Sequence, residues 1–206
     1  KIAGGSLKHL AEFIQKENMI PMLNFALRGN YTILDNFIDL QQPNYIHHCQ
    51  PRGLIVHWLA GNVPLLGVYS IFQALLTKNV SLVKASERAH EELVLLLDSL
   101  RAVSTSTIRG EEILKKIAVI LLERENTETQ KIVSQAADVR VVWGGHEAVE
   151  AITSLPKNMF CEDIVYGPKY SYGLVDKGSF VKMDEVTTRL AFDVCTFDQY
   201  ACSSPH

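Results

Sequence analysis

The stretch "GLIVHWLAGNVPLLGVYSIFQALLTKN", residues 53–79, decides the fold of this chain. Its first eight residues are apolar apart from His57, which is typical of a strand that is buried on both faces. A junction with Asn62 and Pro64 follows, and proline suits the first turn of a helix. The largely apolar run from Pro64 onward predicts that helix. A strand that leads directly into a helix is the first half of a parallel β-α-β unit.

The same alternation continues along the chain. We predict further strands at 81–85, 117–123, 139–145, 163–167 and 172–176, and further helices at 87–103, 128–137, 146–155 and 183–197. Regular alternation implies parallel pairing, and continuous apolar strands imply a sheet with both faces covered. The predicted fold class is therefore α/β, with a doubly wound, Rossmann-like parallel sheet. Residues 6–40 carry apolar stripes of helical period and are predicted to be mainly helical.

Composition and charge exclude several classes of function. The chain has 206 residues, a net charge of -3 and a pI near 6.2, so it lacks the basic footprint of a nucleic-acid-binding protein. It contains no run of eighteen apolar residues, and its N-terminus lacks the apolar core of a signal peptide, so no membrane span or export is predicted. The four cysteines and seven histidines show no metal-ligand spacing, and we assign no metal. A cytoplasmic, reducing setting fits this cysteine usage.

Ligands of such sheets bind outside the carboxyl ends of the strands, so the candidate residues are those in the loops at that edge. The dinucleotide fingerprint GxGxxG is absent. Asn62 is either a helix cap or a donor to an oxyanion. Lys84, at the end of the second strand, is either a solvated lysine or a contact to a ribose hydroxyl or a phosphate. Ser86 is either a helix cap or a contact to the same group.

Each of two later motifs also has two interpretations when it is taken alone. Gly144 and Gly145 either form a tight turn or allow the backbone to approach an anion at a helix N-terminus. Cys202 is either a small buried hydrophobe or an accessible thiol among small neighbours. Cys195 sits on an apolar helical face and is predicted to lie in the core.

Together these pieces resemble the aldehyde dehydrogenase superfamily, and more closely its long-chain acyl-CoA reductase family. That family includes the reductase subunit that makes fatty aldehyde for bacterial luciferase. Five collinear segments carry the resemblance: "PRGLIVHWLAGNVPLLG", "LLTKNVSLVKAS", "ADVRVVWGGHEAVEAI", "CEDIVYGPKYS" and "FDQYACSSP".

The resemblance implies a role for each candidate residue. Cys202 would be the nucleophile that attacks an acyl thioester, and Asn62 would be the amide of the oxyanion hole. Lys84 and Ser86 would contact the adenosine ribose, and Lys84 could also face a 2′-phosphate. The remaining cofactor residues would form the loop beside the pyrophosphate; they are Trp143, Gly144 and Gly145.

The resemblance also implies what the protein does. We expect NADPH-dependent reduction of a long-chain acyl thioester to the aldehyde, with NADH not excluded. Hydrolytic relatives carry a glutamate that activates water, whereas Val165 and Tyr166 occupy that neighbourhood here. Neither is a general base, so the acyl-enzyme should persist until it is reduced. A non-catalytic nucleotide-binding fragment or interaction subunit, and an NAD-dependent aldehyde oxidiser, remain the alternatives.

The same resemblance suggests an organisation and a set of partners. We expect a helical N-terminal segment at 1–50, a nucleotide-binding domain at 51–178, and the start of a truncated catalytic domain at 179–206. The acyl donor would be acyl-CoA, an acyl-carrier protein or an acyl-enzyme, with acyl-transferase or synthetase subunits as possible partners. The full-length protein is expected to be a homo-oligomer.

Overall fold

The computed structural model describes residues 4–40, 44–61 and 66–195. The chain opens with α1 (Gly4–Phe13) and α2 (Lys16–Ala26), and a 3₁₀ turn follows at Tyr31–Leu34. The prediction of a mainly helical start is correct as far as this turn. Beyond it, Ile38 pairs with His47 in an isolated antiparallel bridge, so the segment ends in extended backbone rather than in a third helix.

The rest of the fold alternates between strand and helix. In chain order the elements are β1 (Leu54–Trp58), α3 (Leu66–Leu76), β2 (Val80–Ala85), α4 (Glu87–Asp98), α5 (Gly110–Leu114), β3 (Ile117–Leu121), α6 (Thr127–Ala136), β4 (Val139–Trp143), α7 (His146–Thr153), β5 (Glu162–Tyr166) and α8 (Met183–Cys195). The five strands form one sheet in the order β3-β2-β1-β4-β5, and every neighbouring pair is parallel. The order reverses between β1 and β4, where a doubly wound sheet offers its ligand crevice.

Helices cover both faces of the sheet around its central strand. On one face of β1, Val56 and Trp58 pack with Val133 and Ala137 beneath α6. Ile55 faces the opposite side and packs with α3. Because alternate residues of a strand point to opposite faces, an apolar run is what a doubly covered strand requires. The predicted α/β, doubly wound class is confirmed.

The predicted strand at 172–176 is wrong. The segment forms no strand in the described part of the chain, and Leu174 is 92% exposed. Its apolar residues predicted a strand, but a strand forms only where a neighbouring strand pairs with its backbone hydrogen-bonding groups.

The predicted helix at 87–103 ends early. It stops at Asp98 and tightens into a 3₁₀ turn at Ser99–Ala102. Gly110 packs so closely here that a Cβ on it would lie 1.8 Å from the carbonyl oxygen of Leu100. This close approach ties the turn to α5, a short helix that the apolar pattern did not predict.

Cys195 is exposed, which corrects its predicted place in the core. It lies at the end of α8, none of whose described residues is buried. The apolar side chains of that helix therefore remain largely exposed, as Leu190 (38%) and Phe192 (66%) show. No helix in those ranges is both long enough and apolar enough to cross a bilayer.

A buried histidine joins the central strand to its neighbours. His57 in β1 is fully buried, and its Nδ1 lies 2.7 Å from the hydroxyl of Ser70 in α3. Its Nε2 lies 3.1 Å from the hydroxyl of Ser81 in β2. Burial lowers the pKa of His57 to about 4, because the interior disfavours the charged ring. The ring is therefore neutral at pH 7 and serves as a hydrogen-bonded core residue.

We expect acid to destabilise the fold through His57. In the unfolded chain the ring takes up a proton below its ordinary pKa of 6.5, whereas the folded ring stays neutral until about pH 4. Stability is therefore lost as the pH falls from 6.5 towards 4, with a decrease of about 2 kcal/mol between pH 7 and pH 5. Urea unfolding at the two pH values measures this. A His57→Leu variant should show a decrease smaller by that amount, and an unchanged decrease would contradict the assignment.

A buried arginine in β4 holds the outer strand β5 and two helices together. Arg140 in β4 is fully buried, and its Nε and Nη2 donate to the two carboxylate oxygens of Asp163 in β5 at 2.6 and 2.8 Å. Its Nη1 donates to the hydroxyl of Ser134 in α6 at 2.7 Å. The guanidinium also donates to three carbonyl oxygens at the end of α7, those of Ile152, Thr153 and Leu155. One side chain thus joins two strands and two helices.

Replacing the partner of this arginine should destabilise the fold strongly. Asp163→Asn leaves the Arg140 charge buried without a counter-ion, and we expect the free energy of unfolding to fall by about 3 kcal/mol at pH 7. Chemical denaturation measures the loss. Lys157 also contacts Asp163 at 2.9 Å, but its side chain is 38% exposed. Lys157→Met is therefore the matched control, expected to cost less than about 1 kcal/mol; equal losses would refute the special role of Arg140.

Candidate active site

The candidate site lies at the carboxyl edge of the sheet, where the loops after β1, β2, β4 and β5 meet. Lys84, Ser86, Trp143, Gly144 and Gly145 all lie along this edge, as predicted from sequence. Asn62 and Cys202 lie outside the described residues, so their roles stay predictions. The described residues of the predicted site are therefore those assigned to the ribose and the pyrophosphate.

The loops after β1 and β2 are in close contact. The backbone N–H of Leu59 donates to the carbonyl oxygen of Lys84 at 3.2 Å, which continues the ladder past the end of β1. Two residues on, a Cβ placed on Gly61 would lie 2.9 Å from the hydroxyl oxygen of Ser86. Glycine at position 61 therefore lets the first loop approach the second, a role that the sequence did not reveal.

Ser86 is the N-cap of α4. Its hydroxyl oxygen accepts a hydrogen bond from the backbone N–H of Ala89 at 3.3 Å, so the capping alternative is confirmed. The cap uses the hydroxyl as an acceptor, which leaves its hydrogen able to donate to another group. Capping and contact with a ribose are therefore compatible.

Lys84 is a half-buried cation at the end of β2. Its pKa is lowered by burial, which disfavours the charged ammonium group. Within the described ranges, no carboxylate pairs with this ammonium and no acceptor bonds to it. Its neighbour Leu82 packs with the α6 side of the sheet, and strand alternation puts Lys84 on the same face. A partly desolvated cation without a partner is suited to a hydroxyl or phosphate oxygen.

The two glycines after β4 differ in whether the backbone beside them is free to bind a ligand. The N–H of Gly144 donates to the carbonyl oxygen of Tyr166 at 3.3 Å and is therefore not free for a ligand. Gly145 is the N-cap of α7 without any side-chain cap, and no atom lies within 4 Å of where its Cβ would be. The first N–H groups of α7 lack partners inside the helix. The Gly145 end of α7, rather than Gly144, is open to an anion.

An aromatic stack stands beside this loop. Trp143 and Tyr166 are register partners at the ends of β4 and β5, and their rings stack with centroids 3.7 Å apart and planes 9° from parallel. Trp143 packs against the α3 side of the sheet, while Tyr166 is 38% exposed. Sequence reasoning placed Trp143 in the cofactor loop but missed the stack. The signal for it was that both aromatic residues lie near the carboxyl ends of predicted strands.

These features fit a dinucleotide. A cation at the end of β2 and an uncapped helix N-terminus with an open glycine after β4 share the face of the sheet that α6 and α7 cover, whereas the aromatic stack at the end of β5 lies on the α3 face. The buried Nε1 of Trp143 has no acceptor within the ranges the structure covers. Those ranges also hold no group of three or more metal-ligating side chains.

Similar sequences fall in one family. The sequence model of the acyl-CoA reductase (LuxC) family matches residues 2–206. A long-chain acyl-protein thioester reductase of Aliivibrio fischeri is 32% identical over 192 residues, covering 92% of this chain and 38% of the relative. A second such reductase, from Photobacterium leiognathi, is 34% identical and covers 91% and 40%. The chain spans about two fifths of the length of these relatives.

Solved structures with the same fold are aldehyde dehydrogenase-like. A substrate-bound Staphylococcus aureus AldH superposes with a TM-score of 0.61 at 18% identity, covering 84% of this chain and 37% of that one. An engineered glycolyl-CoA reductase with bound NADP⁺ gives 0.59 at 17% identity, covering 90% and 45%. At this identity the likeness establishes the fold alone.

Proposed function

The chain belongs to the acyl-CoA reductase (LuxC) family, and from this premise we propose that the protein reduces a long-chain acyl thioester to the fatty aldehyde with NADPH. The observation that carries the proposal is the match over residues 2–206, together with relatives named acyl-protein thioester reductases. Their name favours an acyl group carried on a protein as the donor, with acyl-CoA as the simpler substitute. Residues 179–206 would begin the catalytic domain, in a cytoplasmic homo-oligomer.

The carboxyl edge of the sheet would hold the cofactor. Lys84 and the hydroxyl of Ser86 would bind the adenosine ribose and its 2′-phosphate. Because no carboxylate among the described residues pairs with Lys84, its positive charge would be available to the 2′-phosphate of NADPH. Gly145 and the N-terminus of α7 would bind the pyrophosphate. Bound NADPH would supply the hydride for reduction.

Cys202 would form the acyl-enzyme. Its thiolate attacks the carbonyl carbon of the thioester, a new carbon–Sγ bond forms, and the bond to the donor sulfur breaks as the donor leaves as a thiolate and takes a proton. The side-chain amide of Asn62 and the backbone N–H of Cys202 would donate to the oxyanion. Reduction at the same carbon then breaks the carbon–Sγ bond, which releases aldehyde and restores the Cys202 thiolate.

Val165 and Tyr166 support reduction over hydrolysis. They end β5, where hydrolytic members of the superfamily carry a glutamate that activates water. Neither side chain serves as a general base, so the acyl-enzyme would wait for reduction or transfer. This is also the feature that disfavours aldehyde oxidation to the free acid.

The nucleophile is tested by replacing one cysteine at a time. After incubation of the whole protein with long-chain acyl-CoA, intact-protein mass spectrometry should show a hydroxylamine-sensitive acyl adduct. Cys202→Ala should abolish the adduct, and Cys195→Ala, which removes an exposed thiol seven residues earlier, should keep it. An adduct that survives in Cys202→Ala would refute the assignment.

The cofactor site is tested through Lys84. Lys84→Met removes a charge-assisted hydrogen bond, and we expect the Kd for NADPH to rise about tenfold. Lys116→Met is the matched control, because Lys116 is an exposed lysine at the opposite edge of the sheet, directly before β3. Isothermal titration calorimetry measures both. Equal Kd values for wild type and Lys84→Met would remove Lys84 from the site.

A further inference from the structure

We propose that Gly61 is a positioning residue for the cofactor, because it leaves the space in which the hydroxyl group of Ser86 can cap α4 and donate to the adenosine ribose at the same time. The inference rests on the proposed function, in which Ser86 contacts that ribose. It gives the loop after β1 a part in this contact, since any side chain at position 61 would turn the hydroxyl group away.

Glycine at position 61 provides space and not an unusual backbone conformation. Its φ lies outside the left-handed region, so a side chain there would not be strained by the backbone. A Cβ at this position would instead lie 2.9 Å from the hydroxyl oxygen of Ser86 and 3.2 Å from its Cβ. Non-bonded heavy atoms pack best at about 3.5–4.0 Å, so a methyl group would have to displace either the loop or the serine.

The loop cannot retreat from the serine, because it is anchored two residues earlier. The backbone N–H of Leu59 donates to the carbonyl oxygen of Lys84 at 3.2 Å, and the Leu59 side chain is buried in the core with Leu93. Helix α3 packs so closely on this leucine that a Cβ on Gly67 would lie 2.5 Å from one of its methyl carbons. The displacement therefore falls on Ser86.

The side chain of Ser86 is the part that can give way. Ala85 at the end of β2 and Ala89 in the first turn of α4 are both buried, so the backbone is packed on either side of the serine. In its present rotamer the hydroxyl oxygen of Ser86 accepts the N–H of Ala89 at 3.3 Å. A methyl group at position 61 would rotate the hydroxyl group about χ1 into another staggered position, away from this N–H.

One rotation would remove both functions of the hydroxyl group. In the capping rotamer its oxygen accepts from the helix while its hydrogen remains available to an acceptor such as a ribose oxygen. Once the group turns away, α4 loses its cap and the ribose loses its donor. Gly61→Ala should therefore behave like a variant without the Ser86 side chain, although the serine is still present.

The test is a double-mutant cycle on the whole protein, measured by isothermal titration calorimetry with NADPH and with adenosine 2′,5′-bisphosphate, which lacks the nicotinamide. Ser86→Gly and Gly61→Ala should each raise both Kd values about fivefold, the effect of one hydrogen bond between neutral groups. The double variant should show the same fivefold increase and not the product, about twenty-fivefold, because no hydroxyl group remains to be displaced. Gly167→Ala is the matched control and should bind like wild type, since the nearest atom is 4.0 Å from its Cβ position.

The outcomes separate this inference from the proposed function. If wild type binds both ligands but Gly61→Ala leaves the Kd values unchanged, or if the two substitutions multiply, the inference is wrong while the proposed cofactor site stands. An increase for NADPH alone would also overturn it, because position 61 would then act on the nicotinamide half. An unchanged Kd in Ser86→Gly would remove the serine from the contact, and the inference with it. If wild type binds neither ligand, the proposed function itself fails.

Folding of the variants gives a second measurement. If Gly61→Ala does not fold, adding Ser86→Gly should restore the fold, because it removes both atoms that the new methyl group would meet. Thermal unfolding followed by circular dichroism measures this rescue. A double variant that is no more stable than Gly61→Ala would show that the methyl group meets something other than Ser86, and would overturn the inference.

Discussion

One buried guanidinium sets the geometry of the ligand edge. Arg140 and Asp163 are register partners in the parallel pair of β4 and β5, three positions before Trp143 and Tyr166. A bidentate ion pair allows one register, and a slip of one residue would turn Asp163 to the other face of the sheet. The pair therefore also sets which aromatic rings meet at the strand ends. Its bonds to the end of α7 orient the helix whose N-terminus follows that stack.

The sequence predicted the sheet because its signal is local. Each strand is a short apolar run and each crossover helix has an apolar stripe, so parallel pairing follows from their alternation. Two of the failures share one cause, which is that a local apolar pattern did not lead to the packing that it predicted. Residues 172–176 were predicted as a strand but form none in the described sheet, and the apolar side chains of α8 remain largely exposed. The end of α4 failed for the opposite reason, since a close contact with Gly110 determines it.

The positions of the candidate residues were predictable, but their contacts were not. Lys84, Ser86 and Gly145 follow from the rule that ligands bind at strand ends, and the roles that the resemblance suggests for them stay predictions. Whether Ser86 caps its helix, whether the N–H of Gly144 is free, and whether Gly61 meets Ser86 all depend on distances between loops. The stack of Trp143 on Tyr166 depends on the register of β5 against β4. That register is set by Asp163, which the sequence offers only as one acidic residue among twenty-three.

The residues at the end of β5 determine whether the proposed site contains a general base. A carboxylate at this position could activate water, but here strand alternation turns Val165 to the α7 face and Tyr166 to the face of Trp143. Neither position then offers a general base, so nothing there promotes hydrolysis of an acyl-enzyme. What the edge offers instead is a flat, partly exposed ring held beside the loop of α7. In the proposed reductase, the absence of a general base at the end of β5 leaves the acyl-enzyme to reduction or transfer rather than to hydrolysis.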